Sequence, residues 1–339
     1  MLQAGLTQSL FNCIKRCAGS LYKASKLTGV HRPTIRLLRL KPSKPIRVDI
    51  LGKLTDYLVK CGHVEFSMNK LEDKIEWIGH PLSWGVTNPK LPFRLNTTDA
   101  VRVIAAMFND GYVGGDGAEG HGVMHYYNEN FALRSEVITS AVDAFGGDED
   151  SYPVRRHRGD HYVVFPSVIR DLMKQIGVPT GSKVNHNSHI PPLIYASKRP
   201  DLWRAWLRQA ADDEGGVRFR PKAKSRHVYW RRCIGLKPEF PVEIKRREKS
   251  FPELNDLLRK VVTHCVPHLL IEEKELLKRL GVECKVHPSS VYKVKTGGYR
   301  AKWELYIGGR KNLEKFHRAV GFSHPQKNML LVKALESYK

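Results

Sequence analysis

Val103-Ile104-Ala105-Ala106-Met107-Phe108-Asn109-Asp110-Gly111 has a counterpart 104 residues downstream, Leu207-Arg208-Gln209-Ala210-Ala211-Asp212-Asp213-Glu214-Gly215. Each run reads as a helix that closes on an acid followed by glycine, Asp110-Gly111 in the first copy and Glu214-Gly215 in the second. Strand-like pieces, a helix, more strand and a closing helix follow in both. The closers match as well: Val168 to Gly177 precedes Lys183, Leu313 to Gly321 precedes Lys327, and glycine to lysine is six residues each time. A duplicated unit of this length sets equivalent residues about a pseudo-two-fold axis.

The duplication gives the two acids a chemistry. Each acid reads as the last helical residue, with its glycine in the left-handed C-cap position. A carboxylate there faces the negative end of the helix dipole and calls for a cation. Ala100, Ala105 and Ala106 in one helix, and Ala205, Ala210 and Ala211 in the other, offer small faces through which the helices pack side by side and bring Asp110 and Glu214 together. Converged carboxylates select Mg²⁺, a hard ion that takes oxygen ligands and keeps several waters. Beside a phosphodiester such ions activate a water and stabilise the departing oxygen. Lys183 and Lys327, at matching places, can approach a phosphate or cap a helix.

The 339 residues carry 57 Lys+Arg against 34 Asp+Glu, a net charge of +23, with 41% hydrophobic residues. That balance excludes a disordered or fibrous chain. The excess charge is uneven. Residues 1–62 hold 12 basic and 2 acidic side chains, residues 63–95 hold 4 and 4, residues 96–200 hold 10 and 12, and residues 201–339 hold 31 and 16. Two basic blocks around a quieter middle suit a polyanion gripped at two places, and nucleic acid is the expected one. No window approaches the roughly 20 apolar residues of a membrane span. The N-terminal positive charges follow the apolar stretch, the reverse of a secretory signal. Six scattered cysteines make no disulfide framework. These features predict a protein of the prokaryotic cytosol.

Residues 1–62 read as a small helical domain. Leu10, Phe11, Ile14 and Cys17 mark a first helix, Gly19-Ser20 breaks and re-caps it, and Leu21–Leu27 forms a second. The turn Thr28-Gly29-Val30 leads into a basic third helix near Arg32–Leu40, with Pro33 in its first turn, and a fourth covers about Val48–Val59. Two short helices about a glycine turn, the second basic, outline a helix-turn-helix in which Arg32, Thr34, Arg36 and Arg39 face DNA. The stretch from Ser20 to Pro42 resembles bacterial and archaeal repressor segments of that kind. Residues 63–95, with Pro81, Pro89 and Pro92, read as a linker.

The paired runs at 103–111 and 207–215 resemble the two degenerate motifs of a monomeric LAGLIDADG homing endonuclease. The second is nearer, in the form L-x-G-x-x-D-x-E-G-x-V. The ending from Ile307 through Gly308, Gly309, Leu313, Phe316, Gly321 and Lys327 to Leu331 is similar to the close of that family's second domain. The resemblance covers about residues 96–339, with units at 96–197 and 198–339. It implies an α+β fold of two αββαββα units whose curved antiparallel sheets form a saddle over the DNA major groove. It also implies that Asp110 and Glu214 hold the metal and cut both strands. One departure stands at the helix contact: Gln209 replaces the usual glycine, and its long polar side chain is expected to loosen the helix pair.

The strands indicate a DNA-facing surface without reference to any family. Lys302-Trp303-Glu304-Leu305-Tyr306-Ile307 alternates polar with apolar residues, and Val217-Arg218-Phe219-Arg220 sets Arg218 and Arg220 on one wet side. His227, Tyr229 and Arg231 share a face on the next strand, Lys293 and Lys295 lie on a later one, and Arg155, Arg156 and Arg158 lie near a strand of the first copy. Basic and aromatic side chains on an exposed sheet hold phosphates and read base edges. His264, Cys265, His268, Cys284 and His287 have zinc-ligand chemistry, but Pro267 interrupts the cluster and no paired CxxC is present, so buried thiols beside incidental histidines are the favoured reading. The leading expectation is a monomeric, Mg²⁺-dependent, site-specific double-stranded DNA endonuclease. Its rivals are an inactive descendant serving as a transcription regulator or RNA-splicing helper, and a structural RNA-binding protein.

Overall fold

The computed structural model describes residues 1–80, 84–115, 122–157, 159–223, 225–236, 248–254, 256–294 and 298–338. The chain divides into two compact units: residues 1–94 with 142–151 and 166–168, and residues 95–141, 152–165 and 169–339. The 63–94 stretch thus belongs with the N-terminal helices.

The N-terminal unit comprises α1 (Ala4–Ala18), α2 (Leu21–Thr28), α3 (Arg32–Leu40), α4 (Val48–Lys60), the single turn α5 (Met68–Leu71) and the two-stranded pair β1 (Trp77–Ile78) and β2 (Val86–Thr87). Ser20 caps α2 by accepting from the Lys23 amide at 3.2 Å, the local signal that separates α1 from α2. Gly29, at φ 66°, turns the chain into α3. Leu10, Phe11, Ile14, Ala24, Ile35, Leu54, Leu58 and Leu71 form the shared core. Arg32 and Arg36 lie exposed on α3, with Thr34 and Arg39 partly covered.

The main unit repeats one topology. The first half runs α6 (Thr98–Phe108), β3 (Gly111–Val113), β4 (Met124–Tyr127), α7 (Phe131–Phe145), β5 (Val154–His157), β6 (Asp160–Val164) and α8 (Ser167–Gln175). After the short α9 (Pro192–Tyr195), the second half runs α10 (Pro200–Glu214), β7 (Gly215–Arg220), β8 (Ser225–Leu236), β9 (Glu248–Ser250), α11 (Asp256–His264), α12 (His268–Arg279), β10 (Lys285–Lys293), β11 (Tyr299–Gly308), α13 (Arg310–Ala319) and α14 (Pro325–Glu336). Its sheets have the orders β3-β4-β6-β5 and β7-β8-β11-β10, the latter extended by β9. Every pairing among these strands is antiparallel. The α+β reading therefore holds, as two halves with the same strand order. Among the described residues no helix is long and apolar enough to cross a membrane.

Helices α6 and α10 pack against each other, as their small residues permit. Ala105, Ala106, Ala210 and Ala211 are fully buried. Phe108 meets Trp206 edge to face with ring centroids 5.3 Å apart, an arrangement worth about 0.5–1.5 kcal/mol beyond the area it buries.

The glycines after the two acids have a different role from the one read in the sequence. Gly215 has φ −102° and ψ 177°, extended rather than left-handed, and Gly111 is likewise outside the left-handed region. Each opens a strand that folds back over its helix. A Cβ on Gly111 would stand 2.4 Å from the Met107 Cα, and one on Gly215 2.5 Å from the Ala211 carbonyl oxygen. Close approach to the helix four residues back, not backbone handedness, demands glycine there. Glu214 is indeed the last residue of its helix, whereas α6 ends at Phe108 and Asp110 stands beyond it.

Candidate functional site: an acid cluster between two sheets

Asp110 and Glu214 come within electrostatic range of each other. Burial, followed by the Glu214 charge, raises the Asp110 carboxyl to about 6, against the pull of Lys183, Arg232 and Lys327. Each acid is held by the second strand of its own half. Asn128, just beyond β4, places its Nδ2 3.4 Å from Asp110 Oδ2, and Arg232 of β8 places its Nη1 3.5 Å from Glu214 Oε1. Both donors lie 18 residues after their acid, so the 104-residue offset persists from helix into hairpin. The halves differ in charge at this point: an uncharged amide serves Asp110, a guanidinium serves Glu214.

Arg232 is 7% exposed and lies between two acids, with Nη2 2.5 Å from Oε1 of the fully buried Glu273. Glu273 also accepts from the Trp230 indole at 2.9 Å. Arg232 sits on the core-facing row of β8 with Trp230, one residue out of step with Arg231. Alternation along a strand makes this unavoidable: the pattern that puts Arg231 outward turns Arg232 in.

A third acid, unremarked in the sequence, completes the cluster. Asp213 accepts from the Tyr126 hydroxyl at 2.6 Å, Gln209 Nε2 at 2.9 and 3.0 Å, and Asn128 Nδ2 at 3.3 Å. Burial and the neighbouring Asp110 charge push its carboxyl well above the usual range, which favours its neutral form. The expectation for Gln209 is thereby corrected. The residue is 2% exposed, and its amide donates to Asp213 one turn along the same helix and to the Tyr126 hydroxyl of β4 in the other half. Its length fills the contact and pairs polar groups that burial would otherwise orphan.

The two lysines follow the repeat. Lys183 donates from Nζ to the Asn109 carbonyl and Lys327 to the Asp212 carbonyl. These are carbonyls at the ends of α6 and α10, groups without partners inside their helices. Burial lowers Lys183 to about 8, although Glu214 and Asp110 pull the other way. Burial also lowers Lys327, opposed first by Asp212. Asp212 accepts from the Ser323 and His324 amides, each at 3.0 Å, at the start of α14. A cavity of about 330 Å³ opens on the Glu214 side, lined by Lys183, Asn187, Arg231, Arg232 and Arg300 among others. Another of about 390 Å³ opens on the Asp110 side, lined by Asn128, Asp160, Asp213, His324 and Lys327 among others.

The donor set fits Mg²⁺ poorly. The ion needs ionised oxygens with room for water. Here Glu214 already faces a guanidinium, Asp213 is taken up by Tyr126, Gln209 and Asn128, and Asp110 has Asn128 beside it with two ammonium groups in range.

The outward rows of the sheets carry the residues expected for DNA. Arg218 pairs with His227, Tyr229 with Tyr306, and Arg231 with Glu304. The Arg218 and Arg231 guanidiniums lie 5.2 and 4.8 Å from the Tyr229 ring centroid. Arg220 is exposed at the end of β7. Part of this charge is neutralised from within: Arg231 donates to Glu304 at 2.8 Å and Lys302 to Glu248 at 2.7 Å. Lys293 pairs with Tyr299, out of step with Arg300 and Lys302, so it belongs to the opposite row. On the first sheet Arg155 pairs with Tyr162, which pairs with Tyr127, and the Tyr127, Tyr162 and His125 rings cluster with centroids 4.6 to 5.9 Å apart. Burial and the Arg155 charge lower His125 to about 4. Arg156, adjacent to Arg155 on β5, occupies the other row. Arg158 and Lys295 lie outside the described residues.

The sequence reading missed Asn128, Arg232, Asp213, Tyr126 and Glu273. The first two were accessible by carrying the 104-residue offset past the helix. Glu273 has no repeat partner to betray it.

No protein-family model matches this sequence, and no curated protein matches it. Solved structures do overlap with it. The crystal structure of the N-terminal LAGLIDADG domain of DUF199/WhiA has a TM-score of 0.34 at 12% identity, covering 68% of this chain and 87% of that one. Full-length DUF199/WhiA from Thermatoga maritima has a TM-score of 0.35 at 11% identity, covering 74% and 63%. Overlap this loose transfers no property, and the functional reading rests on the residues of this chain.

Proposed function

We propose that the protein binds double-stranded DNA without cutting it, as a regulator or other sequence-reading factor, and that its helix-end acids form an internal charge cluster rather than a metal centre. The observation that carries this reading is Arg232, a buried cation of the chain itself, seated against Glu214. A dication at that position would compete for Glu214 with a guanidinium that its pairing to the fully buried Glu273 holds in place. DNA binding is supported by the net charge of +23 and by the outward rows of arginine, tyrosine and histidine on both sheets. The exposed Arg32 and Arg36 of α3 add to it.

A second reading, the Mg²⁺-dependent endonuclease, is favoured by one observation: Asp110 and Glu214 stand at corresponding places in the two halves, and the Glu214 charge reaches Asp110. A single preparation separates the two. The full-length protein is incubated with a randomised duplex library, with and without Mg²⁺, and both retention and strand breaks are sequenced. Retention of a preferred sequence with intact strands is expected. Mg²⁺-dependent breaks that vanish in Asp110→Asn would establish the nuclease instead, and preference for RNA over duplex competitor would exclude both.

A further inference from the structure

The two sheets of the main unit present different chemistry at equivalent places. The offset that sets Asn128 against Arg232 also sets Tyr127 of β4 against Arg231 of β8. In the second half Arg231 stands opposite Glu304 of β11, and the two form an ion pair at 2.8 Å. In the first half Tyr127 stands opposite Tyr162 of β6, with ring centroids 5.2 Å apart and planes inclined at 33°. An aromatic pair thus occupies the place of a charged one.

The aromatic patch extends beyond that pair. His125, two residues before Tyr127 and therefore on the same face, has its ring centroid 4.6 Å from that of Tyr162. It pairs across the sheet with Tyr112 of β3, their centroids 6.5 Å apart. Tyr126, between His125 and Tyr127, is fully buried, which fixes the patch on the side away from the core. Tyr127 is 37% exposed, and Tyr112, His125 and Tyr162 are half-buried. Burial, followed by the Arg155 charge, lowers His125 to about 4, so at neutral pH its ring adds no charge. Arg155 of β5 ends the row, opposite Tyr162.

Charge separates the halves in the same sense. Residues 96–200 hold 10 basic and 12 acidic side chains, whereas residues 201–339 hold 31 and 16. Duplex DNA carries one negative charge per about 1.7 Å of its axis, twice the density of either strand. The second half has the cations to meet that density and the first half does not. A single strand asks for less charge and offers base faces that a duplex keeps stacked, and aromatic rings on an exposed sheet take such faces. Taking DNA as the ligand, as the preceding reading does, we propose that the first sheet is a stacking platform for unpaired bases. The preferred DNA is then a duplex on the second sheet that continues as a single strand across Tyr112, His125, Tyr127 and Tyr162.

The test uses the full-length protein and fluorescence anisotropy on four probes that share one duplex: blunt, with a thymidine tail, with an abasic tail of equal length, and with a uridine RNA tail. The abasic tail carries the same phosphates without bases. One base stacked on an aromatic ring is worth roughly 5–150-fold, so the thymidine tail should bind at least about fivefold tighter than the abasic one. Tyr127→Leu, which keeps an apolar contact to Tyr162, should shrink that ratio, and Tyr127→Phe should retain it. If Tyr127→Leu fails to fold, 5-iodouracil in the tail decides on the wild-type protein: photocrosslinks to Tyr127 or Tyr162 are expected, and crosslinks confined to other residues would overturn the platform. Equal affinity for thymidine and abasic tails, with the blunt duplex still bound, would overturn the platform and leave duplex binding standing. Failure of every probe to bind would overturn both, and tighter binding of the RNA tail would show that the platform serves RNA rather than DNA.

Discussion

Replacing Arg232 by methionine probes the centre of the acid cluster. Methionine keeps much of the buried stem and removes the guanidinium, which leaves Glu273 with no exposed surface and only the neutral Trp230 indole donating to it at 2.9 Å. An ionised carboxylate stranded in this way costs about 3–5 kcal/mol. For a unit of this size each kcal/mol lowers the melting temperature by about 2–4 °C, so Arg232→Met should melt roughly 6–20 °C below wild type. Restoring neutrality with Arg232→Met/Glu273→Gln keeps an acceptor for Trp230 and should recover at least half of the loss. Urea titrations of the three proteins, followed by circular dichroism at neutral pH, provide the free energies. A single variant within about 1 kcal/mol of wild type, or a double variant no better than the single, would refute the claim that Arg232 neutralises the buried Glu273.

Asp110 makes a signed pH prediction. Its folded carboxyl holds a proton up to about 6, against 3.8 for the ordinary group, so the folded state binds more protons between those values and stability falls as pH rises through them. Asp110→Asn should remove that share of the decline and raise stability at pH 7 by up to about 3 kcal/mol; an unchanged pH profile would contradict it. Lys183, lowered to about 8 from 10.5, acts oppositely above neutrality: the unfolded state binds more protons there, so stability should rise with pH from about 8 to 10.5, and Lys183→Met should flatten that rise. Gln209→Ala should destabilise by about 1–3 kcal/mol in thermal or urea melts, because buried Asp213 loses a donor to both oxygens; a more stable variant would show that Gln209 loosens the helices after all. Arg32→Ala/Arg36→Ala should lower the slope of log affinity against log salt by roughly 1.8 in anisotropy titrations on duplex DNA, about 0.9 for each phosphate no longer neutralised. An unaltered slope would remove α3 from the interface.

Local signals made much of the fold legible. The helix Arg32–Leu40 was readable because Gly29 and Pro33 mark its start chemically, and the helices ending near Asp110 and Glu214 because their small residues and acid-glycine endings recur at a fixed offset. The shared row of Arg218, His227, Tyr229 and Arg231 followed from alternation alone, although His227 is covered by its neighbours and only 6% exposed. Lys293 did not follow it, because the register shift between Pro288 and Ser290 of β10 changes the parity of what comes after, and no single strand reveals its partner's register.

The sequence by itself determined the duplication, the pairing of Asp110 with Glu214 and the presence of matched lysines, since these depend on residue type and spacing. Only tertiary structure decided what surrounds them. Asp213 favours its neutral form, Gln209 becomes a bridge, and Arg232 turns inward onto Glu214 and Glu273, because burial and charge at a point are sums over neighbours distant along the chain. Cys13 illustrates the same limit: distant from His63 in the sequence, it lies 3.6 Å from the His63 ring because α4 brings its end back to the first helix.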